Sequence, residues 1–542
     1  MKLSPTCPCP HPNPLPEGEG TLPAAMAVTP SPFGRGRGEG CFTPTINSLQ
    51  DQSVLILGLG ASGLSMARWC VRCGAQVTVA DTRSTPPQLA ALQQDVPTAR
   101  FICGALDAAL RDGTPYHAIF KSPGLSPSQI AIVLEAANVS CIRVRGELGL
   151  FSEALAQLKA SRGYAPVVLA ITGTNGKTTV TSLTGQLVAR AGKTVAVAGN
   201  IGPALLDTLS AHLDKDTLPD VWVLELSSFQ LDGETAFEPT AATVLNITQD
   251  HLDWHGSMQA YAQAKSRIFG TNTVMIVNRE DPTVMAMLPS SVKVKSCVKP
   301  YISFGGDRPQ RAGDFGMEVV NGIAWLVAAQ DTSDTPRAHH KTAPAPSIQR
   351  LMPADALRIR SRHNAINALS ALALGSAAGC ALAPMLYGLR EYGGEPHRVQ
   401  PIGTINAVEF FDDSKGTNVG ATVAALNGLG VDRKVVMILG GDGKGQDFSP
   451  LAVPVGHFAR AVVLIGRDAP QIRTALAHTG VALHDAVTLP QAVVQAIAVA
   501  QEGDAVLLSP ACASFDMFDN YEHRARVFVQ AVTEHIMTGG AS

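Results

Sequence analysis

The sequence predicts an α/β protein of three domains: a Rossmann-like N-terminal domain, a central P-loop ATPase-type domain and a Rossmann-like C-terminal domain. Three observations carry this. Short apolar runs ending in glycine or polar residues alternate with segments of helical spacing, the pattern of parallel, doubly wound sheets. The alternation restarts near residues 146 and 396. The length of 542 residues suits about three domains.

The elements follow in order. Residues 1–48 contain "CPCPHPNPLPEGEG" and "SPFGRGRGEG", rich in Pro and Gly and without hydrophobic period. Such a segment buries too little apolar surface to offset its chain entropy, so a disordered extension is expected. The first domain, 49–145, opens with the strand "SVLILGLG" and the helix "GLSMARWCVRCG", followed by strands in "QVTVAD", "AIFKSPG" and "SCIRVRG". The second, 146–395, starts with "APVVLAITGTNGKTT", a strand feeding a glycine loop and a helix. Strands are expected in "TVAVAGN", "VWVLELSS", "AATVLNIT" and "TVMIVN". "QDTSDTPRAHHKTAPAPSIQR", within about 330–350, breaks the pattern and reads as a surface loop, with His339 and His340 solvated. "SRHNAINALSALALGSAAG" reads as a helix and "GLREYGGEPHR" as a glycine-rich connector. The third domain, 396–542, carries strands in "KVVMILGGDGKG", "AVVLIGRD" and "DAVLLSPACASFD".

Composition excludes several classes. With 46% hydrophobic and 16% charged residues the chain can build a large core. A net charge of −3 argues against nucleic-acid binding. No apolar run approaches the roughly 20 residues that span a bilayer, so no membrane insertion is expected. The N-terminus has no apolar h-region and is interrupted by Pro, so a cytoplasmic location is expected. Of ten cysteines, Cys70 and Cys73 form a lone C-x-x-C with no second pair, which reads as reduced thiols rather than a zinc site.

The unusual residues cluster after the strands, where open α/β sheets bind ligands. Gly58, Gly60 and Gly63 form G-x-G-x-x-G after a strand, and Asp81 ends the next one. Glycines there let a diphosphate approach a helix N-terminus, and the acid can meet a ribose. On the residues alone, NAD and a UDP-linked ligand both satisfy this pattern. "GTNGKTT" resembles a P-loop but lacks its first glycine, because position 171 is Ile. Gly173 and Gly176 still permit a turn of backbone N–H groups toward phosphates, with Lys177 to neutralise charge and Thr178 to hold Mg²⁺. Glu225 ends an apolar strand and suits either Mg²⁺ ligation or solvent. His251 lies among Asp250, Asp253 and His255. Lys265, in "YAQAKSRIF", reads locally as a helix-surface lysine. "FFDDSKGTNVGAT", "LGGDGKGQDFSP" and "LLSPACASFDMFDNYEHR" place Asp413, Lys415, Thr417, Lys444, Ser514 and Tyr521 after strands, a set that suits a small anion or zwitterion.

In order along the chain, "GTNGKTTVT", "LELSSFQL", "DHLD", "HRVQ", "DDSKGTNVGAT", "GGDGKGQDFSP" and "LLSPACAS" resemble the Mur ligase family from about residue 51 to the C-terminus. That family's loop has the G-T-N-G-K-[ST] form. The resemblance implies an ATP-dependent amide-forming ligase working through an acyl phosphate, with two Mg²⁺ ions and CO₂ held as a lysine carbamate. It implies UDP-N-acetylmuramoyl-L-alanine and D-glutamate as substrates, and a monomer. Carried over, Lys177, Asn200, His251 and Lys265 are the catalytic residues. Gly173, Thr174, Asn175, Gly176, Lys177, Thr178, Thr179, Asn367, Arg398 and Asp413 match the ATP site. Thr178, Glu225, His251 and carbamylated Lys265 match the metal ligands. Ser62, Asp81, Thr82, Arg83, Gly124 and Gln230 match the UDP-substrate site. Thr417, Lys444, Ser514, Phe515 and Tyr521 match the amino-acid site, and Phe515 and Tyr521 replace the Leu and Phe of some relatives.

Overall fold

The computed structural model describes residues 48–289, 301–331, 346–359 and 361–539. Residues 1–47, most of the expected extension, lie outside the described residues, as do His339 and His340. Before the first strand, Leu49 is buried in the core, so ordered packing begins a few residues earlier than Ser53.

Five parallel strands form the first sheet: β1 (Ser53–Leu57), β2 (Gln76–Asp81), β3 (Arg100–Cys103), β4 (Ala118–Lys121) and β5 (Val144–Arg145), in the order β3-β2-β1-β4-β5. The order reverses between β1 and β4, and crevices for ligands open at such a reversal. The strand expected in "SCIRVRG" is only the two residues of β5.

The second sheet is also parallel. Its strands are β6 (Val167–Thr172), β7 (Val195–Gly199), β8 (Val221–Glu225), β9 (Ala241–Val244), β10 (Val274–Asn278) and β11 (Tyr301–Phe304), in the order β11-β10-β9-β6-β8-β7. The helix Lys177–Arg190 buries Val180, Leu183 and Leu187, an i, i+3, i+7 stripe, in one core with the helix Arg362–Ala377. Truncating Leu183 to Ala would cost about 2–5 kcal/mol there. This packing holds the loop before the helix still.

Four elements in this part of the chain differ from the sequence reading. An antiparallel sheet, β12 (Phe315–Val320), β13 (Ile323–Gln330) and β14 (Ser347–Pro353), takes in the "SIQR" expected as loop. Its core residues Leu326, Ala328 and Met352 pack into the same cluster as the helix Arg362–Ala377, and this burial decides for strand. The "GLREYGG" connector is helical up to Glu391, in the helix Leu382–Glu391, because Met385 and Leu389 are buried at i, i+4 spacing.

The third sheet has six strands: β15 (Gln400–Ile405), β16 (Val408–Asp412), β17 (Val435–Gly440), β18 (Ala459–Ile465), β19 (Ala482–Asp485) and β20 (Ala505–Leu508), in the order β15-β16-β20-β17-β18-β19. Only β15 runs antiparallel to its neighbour. β15, β16 and β19 were not anticipated as separate strands. No helix among the described residues is long and apolar enough to cross a membrane.

Candidate active site

At the reversal in the first sheet, Gly58 turns the chain at φ +84°, and a Cβ on Gly63 would sit 2.0 Å from the Gly58 carbonyl oxygen. Only glycine permits this approach. It brings the uncapped N-terminus of the helix Ala61–Arg72 over the strand ends. The resulting cleft of about 460 Å³ is lined by Ser62, Asp81, Thr82, Arg83 and Gly124 among others, so five of the six expected UDP-site residues meet there. Gln230 does not line it; its carboxamide oxygen accepts from the Ser227 backbone N–H at 3.0 Å. Asp81 is not an open carboxylate. Its oxygens accept from the Leu59 N–H at 2.7 Å and from Arg83 N, Nε and Nη2 at 2.9, 2.9 and 2.8 Å. Four donors fill the four acceptor positions of a carboxylate, so a ribose hydroxyl would have to displace Arg83. The Arg83 guanidinium holds the Asp81 carboxyl down at about 2.

In the second sheet, β6 runs into the glycine loop. Gly173 and Gly176 take φ +154° and +84°, and the helix Lys177–Arg190 starts without a side-chain cap. Its first N–H groups are therefore unsatisfied donors beside the loop, the usual basis of phosphate binding. Lys177 Nζ donates to the carbonyls of Gly173 and Thr174, both at 2.9 Å, and curls back over the loop. Thr174 Oγ1 lies 3.1 Å from the Thr248 carbonyl, and the Asn175 N–H donates to Asn246 Oδ1 at 2.9 Å. A cleft of about 140 Å³ gathers Asn175, Gly176, Thr179, Asn367, Arg398 and Asp413. Thr178 faces it through Arg398, whose Nη2 donates to Thr178 Oγ1 at 2.7 Å.

Beside the loop stands a buried group of acids and lysines. Glu225 is 1% exposed. Its Oε1 accepts from Asn200 Nδ2 at 2.8 Å, while Oε2 is buried with no hydrogen-bond partner among the described residues. An orphaned carboxylate oxygen beside a phosphate loop fits a cation, since burial without compensation is costly. Lys265 is also 1% exposed, so the surface reading is overturned. Its Nζ donates to the Gly173 carbonyl at 2.9 Å and Thr172 Oγ1 at 3.3 Å. Burial and the nearby Lys177 charge push its pKa well down, toward the free amine, against the pull of Asp250 and Glu225. His251 takes a left-handed φ of +53° and packs its ring on Phe229. Among the described residues no three His, Cys, Asp or Glu side chains converge on one point. A divalent ion here would draw on hydroxyl and substrate oxygens besides Glu225 and His251, as Mg²⁺ commonly does.

Comparison with known proteins resolves what this arrangement belongs to. Residues 52–146 match the MurD-like N-terminal domain of Mur ligases, 171–375 the Mur ligase middle domain, and 397–512 the glutamate ligase domain of Mur ligases. The UDP-N-acetylmuramoylalanine–D-glutamate ligase of Albidiferax ferrireducens is 68% identical over 500 residues, spanning 92% of this chain and 99% of the relative. The chain belongs to the Mur ligase family. The similarly named ligase of Polaromonas sp. is 56% identical to this Mur ligase, over 89% of this chain and 98% of the relative. In fold, it resembles UDP-N-acetylmuramate–alanine ligase of Thermotoga maritima (TM-score 0.51, 18% identity, covering 89% of this chain and 99% of that one). MurF of Acinetobacter baumannii is alike to the same degree (TM-score 0.52, 19% identity, 89% and 92%).

The third sheet of this Mur ligase leans on the glycine loop through a reciprocal amide pair. Asn175 Nδ2 donates to Asn418 Oδ1 at 3.2 Å, and Asn418 Nδ2 returns to Asn175 Oδ1 at 3.0 Å. Of the expected amino-acid residues, Ser514 is buried, and Thr417, Lys444 and Tyr521 are half-buried. Phe515 is 71% exposed. Lys415, expected from the sequence only as part of a set suiting a small anion or zwitterion, sits with its Nζ 3.6 Å from the Tyr521 ring centroid and lines the cleft beside the glycine loop. Burial lowers its pKa to about 8. His397 was missed; its Nδ1 lies 2.7 Å from the fully buried Asp412. Their adjacency to "HRVQ" and "DDSK" was the available signal. Cys70 and Cys73 are both buried free thiols.

Proposed function

We propose that this chain joins D-glutamate to UDP-N-acetylmuramoyl-L-alanine with ATP, in cytoplasmic peptidoglycan synthesis. The observation that carries this is the 68% identity, over nearly the whole of both chains, to a relative named for that reaction. The domain roles follow: residues 49–145 bind the UDP substrate, 146–395 bind ATP, and 396–542 bring the amino acid. The chain acts as a monomer.

A carboxylate is a poor acyl donor at neutral pH, so it must be phosphorylated before an amine can attack it. The residues arranged around the glycine loop suit that transfer. Lys177, Arg398 and the helix N-terminus supply positive charge where phosphate oxygens would lie. Thr178 and Glu225 would hold one Mg²⁺, and His251 with Lys265 a second; bound Mg²⁺ neutralises charge developing on the phosphates. The buried Lys265 amine, biased toward its neutral form, can add to CO₂ with loss of a proton, leaving a carbamate whose negative charge is matched to a metal ion. Asn200 orients Glu225 through its 2.8 Å hydrogen bond. Lys415 and Lys444 lie on the third-sheet side, where the carboxylates of an incoming glutamate need cations.

The test is phosphate release from ATP with UDP-N-acetylmuramoyl-L-alanine, screened across L- and D-amino acids. Release with D-glutamate and not with L-lysine or diaminopimelate supports the reading. Release dependent on another amino acid refutes it.

A further inference from the structure

Lys121 ends β4, opposite Leu57 of β1, and directly precedes Ser122, Pro123 and Gly124 on the wall of the first-sheet cleft. It is 9% exposed. Among the described residues no acceptor lies within hydrogen-bonding distance of its ammonium. Its nearest carboxylate oxygen is Asp232 Oδ2, 3.9 Å away, and Asp232 is already engaged by Arg267 Nη1 at 2.8 Å. Arg83, the cation on this wall, is engaged by Asp81, and Arg145, which lines the adjoining narrow cleft, is paired with Glu153 at 2.8 Å. The three donors of Lys121 have no hydrogen-bond acceptor among the described residues and are left to solvent or to a ligand in the cleft.

Such a ligand has a place. Lys121 lines a narrow second cleft with Pro123, Phe229 and Gln230. Pro123 also lines the cleft of the first sheet, so the two adjoin at the end of β4. A ligand running from the fingerprint helix toward Gln230 and Glu225 passes this ammonium. We propose that Lys121 is a further substrate-binding residue, whose ammonium pairs with the diphosphate of the nucleotide-linked substrate. This rests on the function proposed above. The diphosphate is the densest negative charge of such a ligand and lies between its nucleoside and its reacting end. The fingerprint helix then takes the diphosphate from one side with backbone N–H groups and Lys121 from the other with a charge. Asp232 faces the lysine head at 3.9 Å without hydrogen-bonding it, and the Trp254 ring centroid lies 5.7 Å from it, so both leave its donors open to a ligand. Burial of the amine lowers its pKa against Asp232, so a bound anion also favours its charged form.

The experiment is calorimetric titration of the full chain and of Lys121→Met with uridine, UDP and UDP-N-acetylmuramoyl-L-alanine. The substitution keeps the stem and removes the charge. It is expected to weaken UDP and the full substrate about ten- to a hundredfold, the worth of one charged hydrogen bond, and to leave uridine unchanged. Lys121→Arg is expected to keep most of the affinity. If Lys121→Met does not fold, Lys121→Gln makes the same comparison. Unchanged UDP affinity in the neutral variant overturns the proposal, even if the full substrate binds less well. An equal loss for uridine also overturns it, because the effect would then be structural. Failure of the functional reading looks different: the wild type itself would not bind the UDP-linked substrate.

Discussion

Arg398 reaches across 220 residues to place its guanidinium 2.7 Å from the Thr178 hydroxyl, joining the start of the third sheet to the glycine loop of the second. Thr178 Oγ1 thus carries a cation beside the place assigned to phosphate and metal. The backbone that delivers Arg398 is unusual, since His397 and Val399 on either side take φ of +61° and +48°. A β-branched residue in that region is strained. The strain is held by the "DDSK" loop: Asp412 binds the His397 ring, and Asp413 accepts from the Val399 N–H at 3.3 Å.

Arg398→Ala is expected to lower kcat by about a hundredfold or more, the usual cost of one transition-state donor. Arg398→Lys is expected to recover only part, because an ammonium lacks the planar fork. Steady-state phosphate release measures both. A variant with wild-type kcat would remove Arg398 from the phosphate site.

Lys265→Ala should fold and be nearly inactive, with acetate or formate partly restoring turnover by filling the space of a carbamate. Lys265→Arg should fail, since guanidinium keeps the wrong sign. Normal turnover in Lys265→Ala would leave the buried amine a structural donor to Gly173 and Thr172.

Gly176→Ala meets two obstacles. The position needs φ +84°, and a Cβ would stand 2.9 Å from Asn367 Oδ1. The left-handed strain alone costs about 1–2 kcal/mol. A lower melting temperature together with a raised KM for ATP is expected, and an unchanged KM for ATP would separate Asn367 from the nucleotide.

Burial raises the Asp413 carboxyl from 3.8 to about 7, against the hydrogen bond from Ser509 Oγ at 2.6 Å. The folded state therefore binds this proton more tightly than the unfolded chain. Its contribution is fully present below the unfolded value and is lost as pH rises through the folded one. Asp413→Asn removes this dependence. Its melting temperature should gain on the wild type between pH 4 and pH 8, in thermal scans across that range. Parallel curves would place the Asp413 carboxyl in its ordinary range.

Much of this was legible because glycines and charges at strand ends announce themselves. Gly58, Gly63, Gly173 and Gly176 are demanded by backbone geometry, so their motifs survive local reading. Lys265 was illegible by charge alone, since lysine normally marks solvent. Yet Tyr261, Ala264 and Lys265 sit at i, i+3 and i+4 and all are buried, so the apolar stripe of its helix passed through the lysine. Asp81 shows the opposite failure. Its position at the end of β2 puts it on the cleft wall, but Arg83 two residues on satisfies it first. The sheet β12–β14 was missed because its central strand β13 carries a continuous apolar run, "IAWLVAAQ", that alternation does not reveal.

The order of the third sheet has a consequence for how the protein is made. β16 and β17 do not pair with each other; β20 lies between them and is hydrogen-bonded to both. During translation, which proceeds from the N-terminus at about 5–20 residues per second, the chain therefore exposes a finished glycine loop long before this sheet can close. Until residues 505–508 emerge, the sheet that carries Arg398 to Thr178 has a gap at its centre. A nascent or prematurely terminated chain would hold the glycine loop before the sheet that delivers Arg398 to Thr178 is complete.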